Sequence, residues 1–195
     1  MANEGMMQGL SRLRMRNIIN WSMEGDVRRR ILTIIAVGLV LYGSCIAFDD
    51  LVLRPCFGGS LSEPSDLNFY QFRACSILDG MIPYVDFDSE SPPLIMYMFV
   101  VPQVLGGSTF CYQAYFAFFA VLTALVLYLG LRSHDERKAM MAGLLYLIYP
   151  LGLLEFSLGV QDEAITMFLF VLPLILLYLG RAGSSGFVSL LGVLT

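Results

Sequence analysis

Long apolar runs alternate with short polar segments along this chain. An α-helix needs roughly 20 mostly apolar residues to cross the hydrocarbon core of a bilayer. Four runs approach that length: residues 31–48, 112–131, 139–156 and 164–179. Residues 187–195 begin a fifth run. The pattern predicts an all-α polytopic membrane protein with about four transmembrane helices and a partial fifth.

The basic residues indicate how these helices are oriented. If the N-terminus is cytoplasmic, all of the 12 Lys and Arg residues except Arg54 and Arg73 fall on the cytoplasmic side, which is the side that basic loops favour. We therefore expect a multi-pass protein of the cell membrane. Its predicted parts are a cytoplasmic N-terminal segment, a membrane domain, a cytoplasmic loop and two outer loops: residues 1–30, 31–195, 132–138, 49–111 and 157–163, respectively.

Composition narrows the choice of partners. The chain is 57% hydrophobic and 14% charged, and its net charge is -4. Apolar residues at this level are typical of membrane proteins, so membrane lipids are expected partners. Nucleic acid is not, because the chain has no basic stretch beyond its N-terminal arginines.

The first outer loop is long for a connection without a function of its own, and its pattern changes along its length. Residues 66–80 have the periodicity of an amphipathic helix lying on the membrane surface, and the spacing assigns one face to Leu67, Tyr70, Ala74, Ile77, Leu78 and Met81. Asp66 lies in the first turn, where the helix dipole favours an ionised carboxylate. Gly80 ends this helix. The prolines between residues 81 and 94 predict an extended segment. Residues 93–106 predict a second interfacial or re-entrant helix, since a full crossing would invert the charge pattern.

These residues carry a resemblance to a known family. An Asp that opens an outer-loop helix, a Tyr four residues later, the run GMIPYVDF and the run PPL before an apolar helix resemble the GT-C class of integral-membrane glycosyltransferases. The similarity is to polyprenyl-phosphate-sugar-dependent, mannosyltransferase-like members, of which this chain corresponds to an N-terminal portion or a short member. The run GVQDEA before a later apolar segment is similar to a second motif of that class.

The resemblance implies an activity and two catalytic carboxylates. It implies sugar transfer from a polyprenyl-phosphate-linked donor to a glycan, lipid or protein acceptor at the extracytoplasmic face, by inversion. In the family, the first outer-loop Asp is the base or orients the acceptor, which carries over to Asp66. The second acidic position carries over to Asp162, beside Glu163.

The residues suggest further contacts in the same loop. Arg73 lies two turns after Asp66 on the same helix face, and a guanidinium suits a departing phosphate. Tyr70 and Tyr84 suit sugar stacking or an interfacial aromatic belt, and Asp86 is a candidate acceptor contact. A divalent metal such as Mg²⁺ or Mn²⁺ is an optional cofactor that Asp66 and Asp162 would hold.

Three alternatives remain open from the sequence. Asp66 and Asp162 are also explained as residues that begin helices. The whole chain is also explained as a noncatalytic membrane subunit, or a truncated or degenerate relative, that acts as a scaffold with a membrane partner. A transporter would require charged residues inside the predicted spans, and these contain almost none.

Overall fold

The computed structural model of the chain describes residues 26–57 and 66–195. Within those ranges the protein is helical and has no β-strand, and the one strand-like pairing is an isolated bridge between Pro83 and Phe87. The all-α expectation is confirmed there. The predicted segment 1–30 lies almost wholly outside the described residues.

The first helix is longer than its apolar pattern. Helix α1 spans Val27–Phe48, continues as a π-helical segment, Asp49–Leu53, and ends in the short helix α2, Arg54–Phe57. As one element, Val27–Cys56 has 30 residues and is apolar enough to cross a membrane. The predicted loop boundary at residue 49 therefore falls inside helical structure.

The described part of the segment that follows, from residue 66 to the next long helix, contains three helices. Helix α3 spans Leu67–Leu78, close to the predicted 66–80, and Gly80 after it adopts a φ of +85°, a conformation that glycine tolerates best. Helices α4, Pro93–Met98, and α5, Val100–Val104, break at Phe99. The prolines between α3 and α4 exclude regular helix there, as predicted.

The second long span is helix α6, Thr109–Leu131, with 23 residues. The Ser108 side chain caps it by accepting a hydrogen bond from the Cys111 N–H. The predicted apolar run 112–131 makes up nearly all of this helix. This helix makes more extensive contacts with its neighbours than any other in the described bundle.

The third predicted span is broken. Helix α7, Glu136–Ile148, is followed by helix α8, Pro150–Leu153, and a π-helical segment, Leu154–Leu158. The two parts meet at an angle of 50°. Pro150 explains the break, since it lacks an N–H group and forces Tyr149 out of the α conformation.

The last two helices are apolar but shorter. Helix α9 spans Glu163–Tyr178, and helix α10 spans Ala182–Val193. The protein thus has two described helices long and apolar enough to cross a membrane, or three if the bent pair is one span. The finer expectation of four or more spans stays a prediction.

Close helix packing around α6 forms the core. Helices α1, α7 and α9 each lie against it, and the packing depends on small residues: a Cβ atom added to Gly143 on α7 would lie 2.9 Å from the carbonyl oxygen of Ala124 on α6. At the other end of α7, the buried Arg30 forms a 2.9 Å ion pair with Glu136. The N-terminal ends of α6 and α9 lie beside the site described next.

Candidate functional site

Tyr70 is a buried side chain of the candidate site, held by aromatic neighbours. Only 2% of this residue is exposed, and its ring stacks on Phe99 with centroids 4.3 Å apart. The rings of Tyr112 and Phe116 lie 6.3 Å and 5.9 Å from it. Aromatic contacts on several sides leave a side chain with two χ angles little freedom. Helix α3 is thereby anchored to α5 and α6.

The Tyr70 hydroxyl joins the two predicted motifs. It donates a hydrogen bond of 2.9 Å to Oδ1 of Asp162, a residue 92 positions later in the chain. Neither Asp66 nor Asp162 makes a side-chain capping bond to the helix that it precedes. Neither carboxylate therefore caps its helix through a side-chain hydrogen bond, as the helix-cap explanation would require.

Burial and charge perturb both partners of this hydrogen bond. Burial raises the pKa of Asp162 above the ordinary value, and the negative charge of Asp66 adds to the rise, while the Tyr70 hydrogen bond and the charge of Arg73 oppose it. Burial also raises the pKa of Tyr70, and the Asp162 carboxylate adds to that rise. Tyr70 therefore stays protonated at neutral pH and remains a donor.

Asp162 and Tyr70 line a cavity of about 1010 Å³ at the outer face of α3. Four carboxylates and one guanidinium line this cavity within the described part of the chain, and Arg73 supplies the guanidinium. The predicted site residues that line it are Asp66, Tyr70, Arg73, Tyr84 and Asp162, and the other charged lining residues are Asp88 and Glu90. The two catalytic candidates thus face one space.

Arg73 is held by a residue that the sequence did not single out. Its Nη1 donates a 2.6 Å hydrogen bond to the Ser91 hydroxyl, and the Tyr84 hydroxyl donates to the Ser91 carbonyl. The guanidinium also lies 5.9 Å from the centre of the Phe69 ring, within the range of a cation–π contact. The proline-rich segment is therefore tied back onto α3 beside the cavity.

Two predicted site residues lie elsewhere. The Asp86 carboxylate accepts a 2.7 Å hydrogen bond from the Ile82 N–H and closes a turn. Glu163 is exposed at the start of α9. Neither residue lines the cavity, so the site is built without them.

The optional divalent metal would be held by two carboxylates. Among residues 26–57 and 66–195, no group of three or more His, Cys, Asp or Glu side chains forms an ion site. Mg²⁺ is usually bound by one or two carboxylates, with water and substrate phosphates completing its shell. Asp66 and Asp162 would therefore be the residues that hold such a metal, and it would help to neutralise a phosphate.

Comparison with known proteins does not identify a relative: the chain matches no protein-family model, no curated protein and no solved structure. The class of protein follows from the fold. An all-helical chain with two or three helices long and apolar enough to span a bilayer is consistent with a membrane protein. The similarity of residues 66–180 to GT-C transferases stays a prediction.

Proposed function

We propose that this chain is a membrane glycosyltransferase that moves a sugar from a polyprenyl-phosphate-linked donor to an acceptor hydroxyl at the extracytoplasmic face. The observation that supports this most is that Asp66, Asp162 and Arg73 line one cavity. Their chemistry matches the needs of the reaction: a base for the acceptor, a second polar contact for its hydroxyls and a cation for the departing phosphate.

Asp66 is the proposed base. Its side chain is exposed to the cavity and is not engaged in capping α3. As the acceptor oxygen attacks the anomeric carbon, Asp66 takes the hydroxyl proton. The bond between that carbon and the phosphate oxygen breaks, and the phosphate leaves with the electron pair. Attack from the opposite face inverts the anomeric carbon, as in inverting glycosidases.

Asp162 is the proposed acceptor contact. Its Oδ1 atom is occupied by the Tyr70 hydroxyl, which fixes the carboxylate and leaves Oδ2 to face the cavity or its wall. A carboxylate in that place accepts hydrogen bonds from sugar hydroxyls. The excess of carboxylates over guanidinium in the lining favours a neutral, hydroxyl-rich acceptor over an anionic one.

Arg73 is the proposed phosphate contact. Its hydrogen bond to Ser91 orients the guanidinium group. Among the described residues that line the cavity, Arg73 is the only cation. Because guanidinium groups bind phosphate oxygens in a fork, Arg73 neutralises the charge that develops on the leaving group.

The test is sugar transfer by the full chain in proteoliposomes supplied with a polyprenyl-phosphate hexose. Asp66→Asn keeps the shape of the side chain and removes the base, so we expect turnover to fall by about 10²- to 10³-fold. Asp79→Asn is the matched control, because Asp79 is exposed at the other end of α3 and does not line the cavity. Full turnover by Asp66→Asn would remove the proposed base.

A noncatalytic scaffold is the second candidate. The observation in its favour is that large aromatic side chains, Phe118 on α6 and Phe170 on α9, are 54% and 61% exposed on faces that a partner's helices would cover as well as lipid. Co-purification of additional helical chains, with activity of the complex unchanged by both Asp66→Asn and Asp162→Asn, would favour this candidate.

A further inference from the structure

A buried polar group lies behind the candidate site, at the outer end of α6. Gln113 has no exposed surface. Its Nε2 donates one hydrogen bond of 2.6 Å to the Ser157 carbonyl and one of 2.9 Å to Oδ2 of Asp49. The two bonds pair both N–H groups of the amide, while its Oε1 atom is buried without a hydrogen-bond partner among the described residues. A buried donor that loses its partner costs free energy. Gln113 therefore fixes two other chain segments relative to α6.

Asp49 gives this group its rigidity. The residue is fully buried, and its Oδ2 also accepts hydrogen bonds of 3.2 Å and 3.0 Å from Nε and Nη2 of Arg54. Charge-assisted bonds of this forked kind define geometry well. Asp49 thus offers a fixed acceptor oxygen to one of the two N–H groups of the Gln113 side-chain amide.

The two partners of Gln113 belong to the two π-helical segments in the described part of the chain. Asp49 begins the first, Asp49–Leu53, and Ser157 lies in the second, Leu154–Leu158. Single π-helical turns inside helices frequently occur at functional sites. Here, both irregular turns are joined through one side chain.

The second π segment leads directly to Asp162. The N–H groups of Gly159 and Gln161 donate hydrogen bonds of 2.8 Å and 3.0 Å back to the Leu154 and Glu155 carbonyls. Between them, Val160 has a φ of +51° and no exposed surface. A β-branched residue rarely adopts this conformation and keeps it only where its surroundings impose it. The loop is therefore held in one shape from both sides.

We propose that Gln113 is a positioning residue: its bond to the Ser157 carbonyl holds the 157–162 loop in the shape that sets Asp162 against Tyr70. Gln113 does not line the cavity, so it acts through the loop. The effect on the loop stands on the contacts alone, while any effect on turnover rests on the proposed function.

Hydrogen–deuterium exchange of the full chain in detergent or nanodiscs tests the effect on the loop. Gln113→Met keeps the length of the side chain and removes the amide, and we expect the amides of residues 159–161 to exchange about five- to tenfold faster. Gln113→Asn, one methylene shorter, is expected to lie between wild type and Gln113→Met, and it carries the test if the Met variant does not fold. Unchanged exchange in these amides would overturn the proposal.

Ser157→Ala is the matched control. The Ser157 hydroxyl donates to the Leu153 carbonyl within its own helical segment, and the contact with Gln113 uses the backbone. We therefore expect exchange within about twofold of wild type in this variant. An increase as large as that of Gln113→Met would show that any change at the π segment loosens the loop, and would also overturn the role of Gln113.

Turnover per folded molecule supplies a readout that loss of stability alone does not move, once the folded fraction of each variant is measured by size-exclusion chromatography. If Gln113 positions Asp162, Gln113→Met lowers kcat per folded molecule about tenfold while KM for the lipid-linked donor stays within about twofold. Wild type without transfer activity, but with faster loop exchange in Gln113→Met, would refute the proposed function and leave the positioning intact. Normal kcat with faster exchange would show that the loop shape does not serve catalysis and would refute the positioning of Asp162.

Discussion

The hydrogen bond between Tyr70 and Asp162 can be measured as a coupling free energy. Tyr70→Phe removes the hydroxyl and keeps the ring, so the 4.3 Å stack on Phe99 remains. A hydrogen bond to a charged group contributes about 1.5–3 kcal/mol to stability. Asp162 is half-buried, so we expect the lower end of that range, about 1.5 kcal/mol.

A double-mutant cycle isolates this bond. The free energy of unfolding would be measured by SDS titration in mixed micelles for wild type, Tyr70→Phe, Asp162→Ala and the double variant, at a pH where the Asp162 carboxylate is ionised. Alanine is used because an Asn side chain would still accept the hydrogen bond. The change in the double variant is expected to differ from the sum of the two single changes by about 1.5 kcal/mol, in the direction of a smaller loss of stability.

The control for the cycle uses a neighbouring tyrosine. Tyr112 belongs to the same aromatic cluster, but its hydroxyl donates to Oε1 of Gln103 and to the Phe99 carbonyl. Tyr112→Phe combined with Asp162→Ala should therefore show no coupling. A coupling below about 0.5 kcal/mol for the Tyr70 pair, or an equal one for the Tyr112 pair, would contradict the bond as the link between the two motifs.

Two further predictions follow from burial and packing. Because burial raises the pKa of Asp162, the folded protein binds that proton more tightly than the unfolded chain; the stabilisation is fully present below the unfolded pKa and lost as pH rises through the folded value. The Tm of wild type minus that of Asp162→Asn should therefore fall as pH rises above about 4, and a flat difference would contradict the burial. Gly143→Ala would place a Cβ atom 2.9 Å from the Ala124 carbonyl oxygen and should destabilise the protein by about 1–3 kcal/mol in SDS titration. Its control, Gly43→Ala, has open space around the added atom and should be neutral or slightly stabilising. Equal effects of the two variants would contradict close packing of α6 and α7.

Helical periodicity was sufficient to predict helix α3. The spacing of residues 66–80 predicted α3 within two residues at each end, and the buried Leu67, Tyr70 and Ala74 lie on the face that it assigned. Leu78 and Met81, assigned to the same face, are 51% and 43% exposed. The helix ends there and Gly80 redirects the chain, so periodicity no longer governs which side is buried.

The local irregularities could not be predicted from periodicity. No charged residue interrupts residues 139–154, yet the structure bends by 50° beside Pro150, because a proline inside an apolar run breaks the hydrogen-bond ladder without interrupting hydropathy. Asp49 was assigned to an outer loop and is instead fully buried. Its burial depends on Gln113, which is 64 positions away, and no pattern within one helix contains that information.

The same is true of the residues around Arg73. Its contact with Ser91 requires the chain to turn back after Gly80 and again before α4. Asp86 lies in the same loop, but its carboxylate accepts a hydrogen bond within a local turn. A single sequence shows which side chains are chemically suited to a site, whereas the path of an irregular segment decides which of them reach it.

The 50° bend makes the position of Asp162 sensitive to a small rotation. The arm beyond the bend, Pro150–Leu158, has nine residues and a length of about 12 Å at the rise of a helix. Rotating this arm by about 10° at Tyr149 would move its far end by about 2 Å, more than the 2.9 Å hydrogen bond between Tyr70 and Asp162 tolerates. A lipid or helix that pressed on the side of this arm would rotate it, and would break the hydrogen bond between Tyr70 and Asp162 without contacting either residue.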